Sequence, residues 1–281
     1  MTIADRRRLW TGLAFISPWI VGFLVFTLYP VVASLYYSFC DYDVLSRPIW
    51  VGLLNYRDMA SDSVYWQSLG NTLVFSAISL PLGLITALAL ALLLNQPVRA
   101  RGAFRAIYYL PSLVPAIASA VVWLWILNAR NGLLNQALMA IGISHPPQWL
   151  DDPHWTKPGL ALMTVWGCGN TVVIFLAALQ GVPRALLEAA MIDGASPLRR
   201  LWHVTLPAIS PVIYFNLIIG VIGSLQTFVS AFVMLGNGGP DRSALFYAVY
   251  LYHLRVPSSG GSVRFDLKGR RGAIRSGGQR S

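Results

Sequence analysis

The chain has 281 residues, of which 56% are hydrophobic and only 11% charged, against about 25% charged in soluble domains. That balance excludes an ordinary soluble domain and predicts a polytopic membrane protein with one transmembrane domain. The net charge of +10 would suit a nucleic-acid partner, but over most of the chain the basic residues flank apolar runs, which argues against one.

The chain opens on a short basic segment, Arg6, Arg7 and Arg8, followed by residues 9–39 without a charge. This run is too long for a signal-peptide core. It predicts an uncleaved first span over residues 12–36, bent or interrupted at Pro18 and Pro30. Residues 41–67 read as an extramembrane loop whose aromatic residues (Trp50, Tyr56, Tyr65, Trp66) suit a membrane interface. Residues 69–94 make a second span, and residues 95–105 a short basic loop with Arg99, Arg101 and Arg105. Residues 106–127 make a third span kinked by Pro111 and Pro115, and residues 128–157 a longer loop. Residues 158–179 and 209–235 are the fourth and fifth spans.

With the N-terminus in the cytoplasm, the inside segments hold Arg6, Arg7, Arg8, Arg99, Arg101, Arg105, Arg184, Arg199 and Arg200. The outside segments before Arg255 hold only Arg47, Arg57, Arg130, Lys157 and Arg242. This obeys the positive-inside rule and places residues 183–207 in the cytoplasm.

Residues 183–207 are a polar and basic insert between two apolar runs and contain Glu188, the only glutamate. Pro183 suits a first helical position. Residues 185–193 are good helix formers. Gly194 stands where a left-handed C-terminal cap is wanted. Ser196 and Pro197 read as the N-cap and first position of a second helix, which Pro207 ends. The local pattern alone also fits an ordinary amphipathic connector.

The spacing of Glu188-Ala189-Ala190, Gly194, Val204, Leu206 and Pro207 resembles the coupling loop of ABC-importer permeases. Ile192-Asp193-Gly194-Ala195 makes it similar to the carbohydrate-uptake branch, the maltose, glycerol-phosphate and lactose type, with Val204 where isoleucine is usual. The resemblance covers about residues 9–254 and implies an all-α transmembrane bundle. It further implies an ATPase subunit dimer, a second homologous permease subunit and an extracytoplasmic solute-binding protein as partners. In that family the loop docks in a cleft of the ATPase. The roles implied are a salt bridge from Glu188, close backbone approach at Ala189 and Ala190, and an angle set by Gly194; Asp193, Leu206 and Pro207 complete the pattern.

Gly238-Gly239-Pro240 and Tyr250-Leu251-Tyr252 extend the resemblance, which stops near Leu254, before the sixth span the family has. Five spans are therefore expected, the sixth being missing or aberrant, with residues 1–254 as the permease domain. Residues 255–281 carry seven Arg or Lys and one Asp. They read as a frameshifted or otherwise aberrant end, or as a natural basic disordered tail for anionic lipid or nucleic acid. A non-functional truncated permease is one consequence.

No phosphate-binding Gly-x-x-x-x-Gly-Lys motif occurs, so the chain is not the ATPase, and no enzymatic constellation is found. No cofactor or metal is expected, since Cys40, Cys168 and the four histidines lack ligand spacing. No Asp, Glu, Lys, Arg or His lies well inside any span, which disfavours an ion-coupled secondary transporter, the rival reading. A neutral polar solute needs amides and aromatic faces. Asn71, Trp166, Asn170 and Gln226 are the candidates for its path, against the alternative of helix–helix hydrogen bonds. The expected setting is the inner membrane, with lipid around the spans and no nucleic acid.

Overall fold

A computed structural model describes residues 3–42, 47–96 and 101–255. Arg99 and the basic tail from residue 256 lie outside the described residues, so the frameshift reading of that tail is not addressed by the structure. The chain divides into two compact units, Met1–Trp66 and Gln67–Ser281.

In the first unit, α1 (Ile3–Phe23) runs through a π-helical turn (Leu24–Leu28) into α2 (Tyr29–Ser38). Pro18 sits inside α1, and Pro30 follows the π turn. A proline lacks an N–H and presses on the carbonyl four residues back, and a widened turn relieves both problems without ending the helix. The apolar stretch Trp10–Ser38 is therefore one continuous candidate span. The described part of residues 41–67 is not all loop. Cys40–Asp41 and Ile49–Trp50 pair antiparallel, and α3 (Leu54–Ser61) follows. Asn55 Nδ2 donates to the carbonyls of Ser38 and Cys40 at 3.0 and 2.9 Å, and Phe39 stacks on Trp50 with ring centroids 5.5 Å apart.

The second unit is built on α4 (Ser63–Asn95), which extends six residues before the expected second span and keeps Pro81 inside it. The basic segment 95–105 is not all loop, because α5 (Arg101–Leu113) already begins at Arg101. The expected third span is two helices, α5 and α6 (Ala116–Ile126), bent by 101°. Pro111 remains inside α5. The break falls at Val114-Pro115, where proline drives the preceding residue away from helical angles. The long loop 128–157 contains α7 (Leu133–Ala140) and the start of α8 (Pro153–Trp166). The fourth span is likewise broken, α8 and α9 (Gly169–Gln180) meeting at 52° across Gly167-Cys168. Then come α10 (Arg184–Ile192), α11 (Pro197–Arg200), a second π turn (Leu201–Thr205), α12 (Leu206–Leu225), α13 (Val229–Leu235) and α14 (Tyr247–Arg255). Among the described residues, three helical stretches are long and apolar enough to cross a membrane, and five if each bent pair counts as one span.

Ala87, Ala91 and Leu94 of α4 pack with Val172, Phe175, Leu176 and Leu179 of α9 and with Ile209 of α12 in one buried cluster. The alanines let helix backbones approach closely, which replaces hydrophobic burial as the means of packing within lipid.

Beside the spans, Trp149 Nε1 donates to Asn135 Oδ1 at 2.7 Å, and Asn135 Nδ2 donates to the carbonyls of Ala129 and Pro147 at 3.0 and 3.1 Å. Both residues are buried. Trp149→Phe takes the donor from a buried acceptor, so a loss of about 1–3 kcal/mol is expected, read as a lowered thermal midpoint in detergent.

Candidate functional site

The elbow at residues 183–207 forms much as its local sequence dictates. Pro183 is the N-cap rather than the first helical residue, with φ −59° and ψ 124°. Gly194 takes φ +74°. Its N–H donates to the Met191 carbonyl at 3.0 Å, and the Ala195 N–H donates to the Ala190 carbonyl at 2.9 Å. Those two bonds are the paired pattern that closes a helix on a left-handed glycine. The Ser196 hydroxyl then accepts from the Arg199 N–H at 3.4 Å and starts the second helix.

Pro207 does not end that helix. The π turn Leu201–Thr205 absorbs the missing N–H, as at Pro30, and the helix runs on through Leu206 and Pro207 into α12. The elbow's second arm is therefore continuous with the fifth candidate span, Pro197–Leu235.

The two faces of α10 differ. Leu187 packs against the α4–α9–α12 cluster, and so does Leu206 at the base of α12. Glu188, Ala189, Asp193 and Gly194 are exposed, and Ala190 is half-buried. Leu186, Met191 and Ile192 are also exposed, Ile192 by 87%. These bulky apolar residues stand outward beside the carboxylates of Glu188 and Asp193. Leu187 adds an anchor to this helix; its sequence signal is an apolar residue directly before the Glu-Ala-Ala triplet.

Three of the four candidate path residues sit at helix breaks. Trp166 ends α8, and its ring meets Trp123 of α6 edge-on at 6.1 Å between centroids. Asn170 lies in the first turn of α9 and is exposed, next to Gly169, which packs directly on the backbone of α5 at Tyr108 and Tyr109. Gln226 is the exposed C-cap of α12 at the break before α13. Beyond that break α13 packs on α6, whereas α12 packs on α9. Broken helices free backbone polar groups at membrane depth, tolerated where they line a cavity or meet other protein. Asn71 is apart from these three. It is buried in α4, and its Nδ2 donates to the carbonyls of Arg242 and Leu245 at 2.7 and 3.2 Å.

Discontinuous spans and an exposed elbow are features of a helical membrane transport subunit. The chain belongs to the family of inner membrane components of binding-protein-dependent transport systems, whose pattern matches residues 79–255. It is 39% identical over 250 residues to a probable ABC transporter permease protein of Bacillus subtilis, covering 88% of this chain and 81% of that one. It is 35% identical to a lactose transport system permease protein of Rhizobium radiobacter, covering 86% and 83% of the two chains. A chain of a bacterial ABC transporter involved in the import of the acidic polysaccharide alginate superposes with a TM-score of 0.74 at 26% identity, over 97% of this chain and 92% of that one. The chain is thus an ABC transporter permease subunit of the inner membrane, a transport component rather than an enzyme.

Proposed function

We propose that the chain is the permease subunit of an ATP-driven importer for a sugar or sugar-like solute. It works with a second homologous permease subunit, an ATPase dimer and an extracytoplasmic solute-binding protein. The sugar reading is supported by relatives that are lactose, trehalose/maltose and arabinooligosaccharide transport permeases. It also agrees with spans whose interiors hold no Asp, Glu, Lys, Arg or His. The binding-protein partner is supported by the family description and by an alginate transporter solved with its periplasmic protein.

The observation that carries the mechanism is the two-faced α10, anchored by Leu187 and offering Glu188, Met191 and Ile192 outward. In this reading the N-terminus and the elbow are cytoplasmic, and residues 1–254 act as one permease domain. Closure of the ATPase dimer on ATP pushes α10, and the arm through Pro207 carries the push directly into α12. ATP drives transport because its bound form favours one arrangement of the spans over the other. The solute passes the breaks where Trp166, Asn170 and Gln226 stand and meets uncharged hydrogen-bonding groups and an aromatic face.

Glu188→Lys tests this reading. The side chain is exposed, so insertion and folding should be unchanged. Uptake and copurification of the ATPase subunit should both fall about tenfold or more, as for a charge reversal at a hot spot. Full uptake by the variant, or uptake abolished by an ionophore but indifferent to ATP, would sink the assignment.

A further inference from the structure

We infer that Asn71 is a positioning residue, which with Gln67 and Thr72 latches the turn at residues 236–246 onto α4. Along that turn Gly236, Gly238 and Gly239 have φ of +50°, +99° and +71°. Asp241 and Arg242 follow at +49° and +57°. Left-handed angles come freely to glycine, but for two successive side-chain-bearing residues they are strained and persist only where the surroundings impose them.

Here α4 imposes them. Gln67 Nε2 donates to the Asp241 carbonyl at 2.9 Å, and Asn71 Nδ2 to the Arg242 carbonyl at 2.7 Å. The carbonyls captured are those of the two strained residues. Asn71 also reaches the Leu245 carbonyl at 3.2 Å. The Tyr247 N–H, in the first turn of α14, donates to Thr72 Oγ1 at 2.9 Å. Phe246 packs on Phe75 with ring centroids 4.9 Å apart. Residues 67, 71, 72 and 75 lie on one face of α4 by helical spacing.

The latched turn is closed. Ser243, Ala244, Leu245 and Phe246 are all at most 5% exposed. A side-chain methyl on Gly238 would run into Leu245, so the turn has no slack. Its 3₁₀ part, Pro240–Arg242, also touches α8. One amide thus joins α4 to the connection between α13 and α14, which makes these pieces a single body in any movement of the spans. Asn71 shapes the permease and leaves recognition of the solute to other residues.

The test uses Ser243→Cys in the full chain with Cys40 and Cys168 replaced by alanine. Open membrane fragments, with both faces reachable, are treated with a water-soluble maleimide. With Asn71 present the thiol should label slowly. Asn71→Leu keeps about the same volume but offers no donor to a carbonyl, and Asn71→Ala loses both; each should speed labelling about tenfold or more by local opening of the turn. Asn71→Gln, which restores a donor, should recover part of the protection.

A second thiol, Thr156→Cys, buried at the start of α8, should stay protected throughout. Equal labelling of Ser243→Cys in all variants overturns the latch, and so does exposure of both thiols together, because the turn would then not open by itself. This readout needs neither solute nor ATPase, so its failure is distinct from failure of the importer reading. Where uptake is measured, on that reading, Asn71→Leu should lower the maximal rate at an unchanged half-saturating concentration. A raised half-saturation with Ser243→Cys still protected would place Asn71 on the solute path instead.

Discussion

Gly194→Val is expected to abolish uptake while leaving the chain inserted at its normal level. The reason is conformational rather than steric. Gly194 has φ +74° and nothing within 4 Å of where a side-chain methyl would stand. A side chain therefore fits the space but not the backbone. Left-handed angles cost an L-residue roughly 1–2 kcal/mol, with a β-branched residue worse placed than most. The elbow can shed that strain only by opening the bonds from the Gly194 and Ala195 N–H groups to Met191 and Ala190. Opening them changes the angle between α10 and the arm leading to Leu206. Leu187 and Leu206 fix the two arms in the same buried cluster, so a changed angle turns Glu188 and Ile192 away from the surface they now form. The checks are uptake, ATPase copurification and membrane level, read together on Gly194→Ala and Gly194→Val. Alanine should show a graded loss and valine a complete one. Undiminished uptake by the valine variant would remove the elbow from the mechanism.

The elbow was legible because its signals act within a few residues. A glycine that must take positive φ, a Ser-Pro start and a run of helix formers each constrain their own stretch of backbone, and Gly194 and Ser196 do what those rules demand. The same locality misled at Pro207. The rule that proline stops a helix omits the π turn Leu201–Thr205, which lets the helix continue. The positions of the spans followed from hydropathy, but their breaks did not. Pro115 announces a kink, yet the 101° between α5 and α6 depends on what each helix packs against. The bend at Gly167-Cys168 has only a glycine pair to mark it, and α7 lies in a flank polar enough to pass for loop. Asn71 shows the limit most plainly. Its partners Arg242 and Leu245 are 171 and 174 residues away, and no periodic pattern on α4 reports a contact at that distance.

Gly169 is where the membrane-embedded part should be most sensitive to a single substitution. A side-chain methyl there would collide with the Tyr108 carbonyl, stand 3.1 Å from the Tyr109 Cα and 3.3 Å from the Ser112 hydroxyl. The first two are backbone atoms and cannot swing aside as a side-chain tip would, so α5 and α9 must move apart. Overpacking of this kind costs about 1–3 kcal/mol for small additions, and the loss falls on helices held mainly by close backbone packing. Gly169→Ala should lower the thermal midpoint in detergent and reduce uptake, and Gly169→Val should abolish uptake. Asn170 follows directly in the chain, so the displacement also disturbs the break through which the solute is proposed to pass. Gly83→Ala is the internal comparison. Gly83 lies inside α4 with nothing within 4 Å of its would-be methyl, and alanine is the better helix former by about 1 kcal/mol. That variant should be neutral or slightly more stable. If Gly169→Ala matched Gly83→Ala in both midpoint and uptake, the crossing of α5 and α9 would not be the tight joint described above, and the path would have to be sought away from the Gly167-Cys168 break.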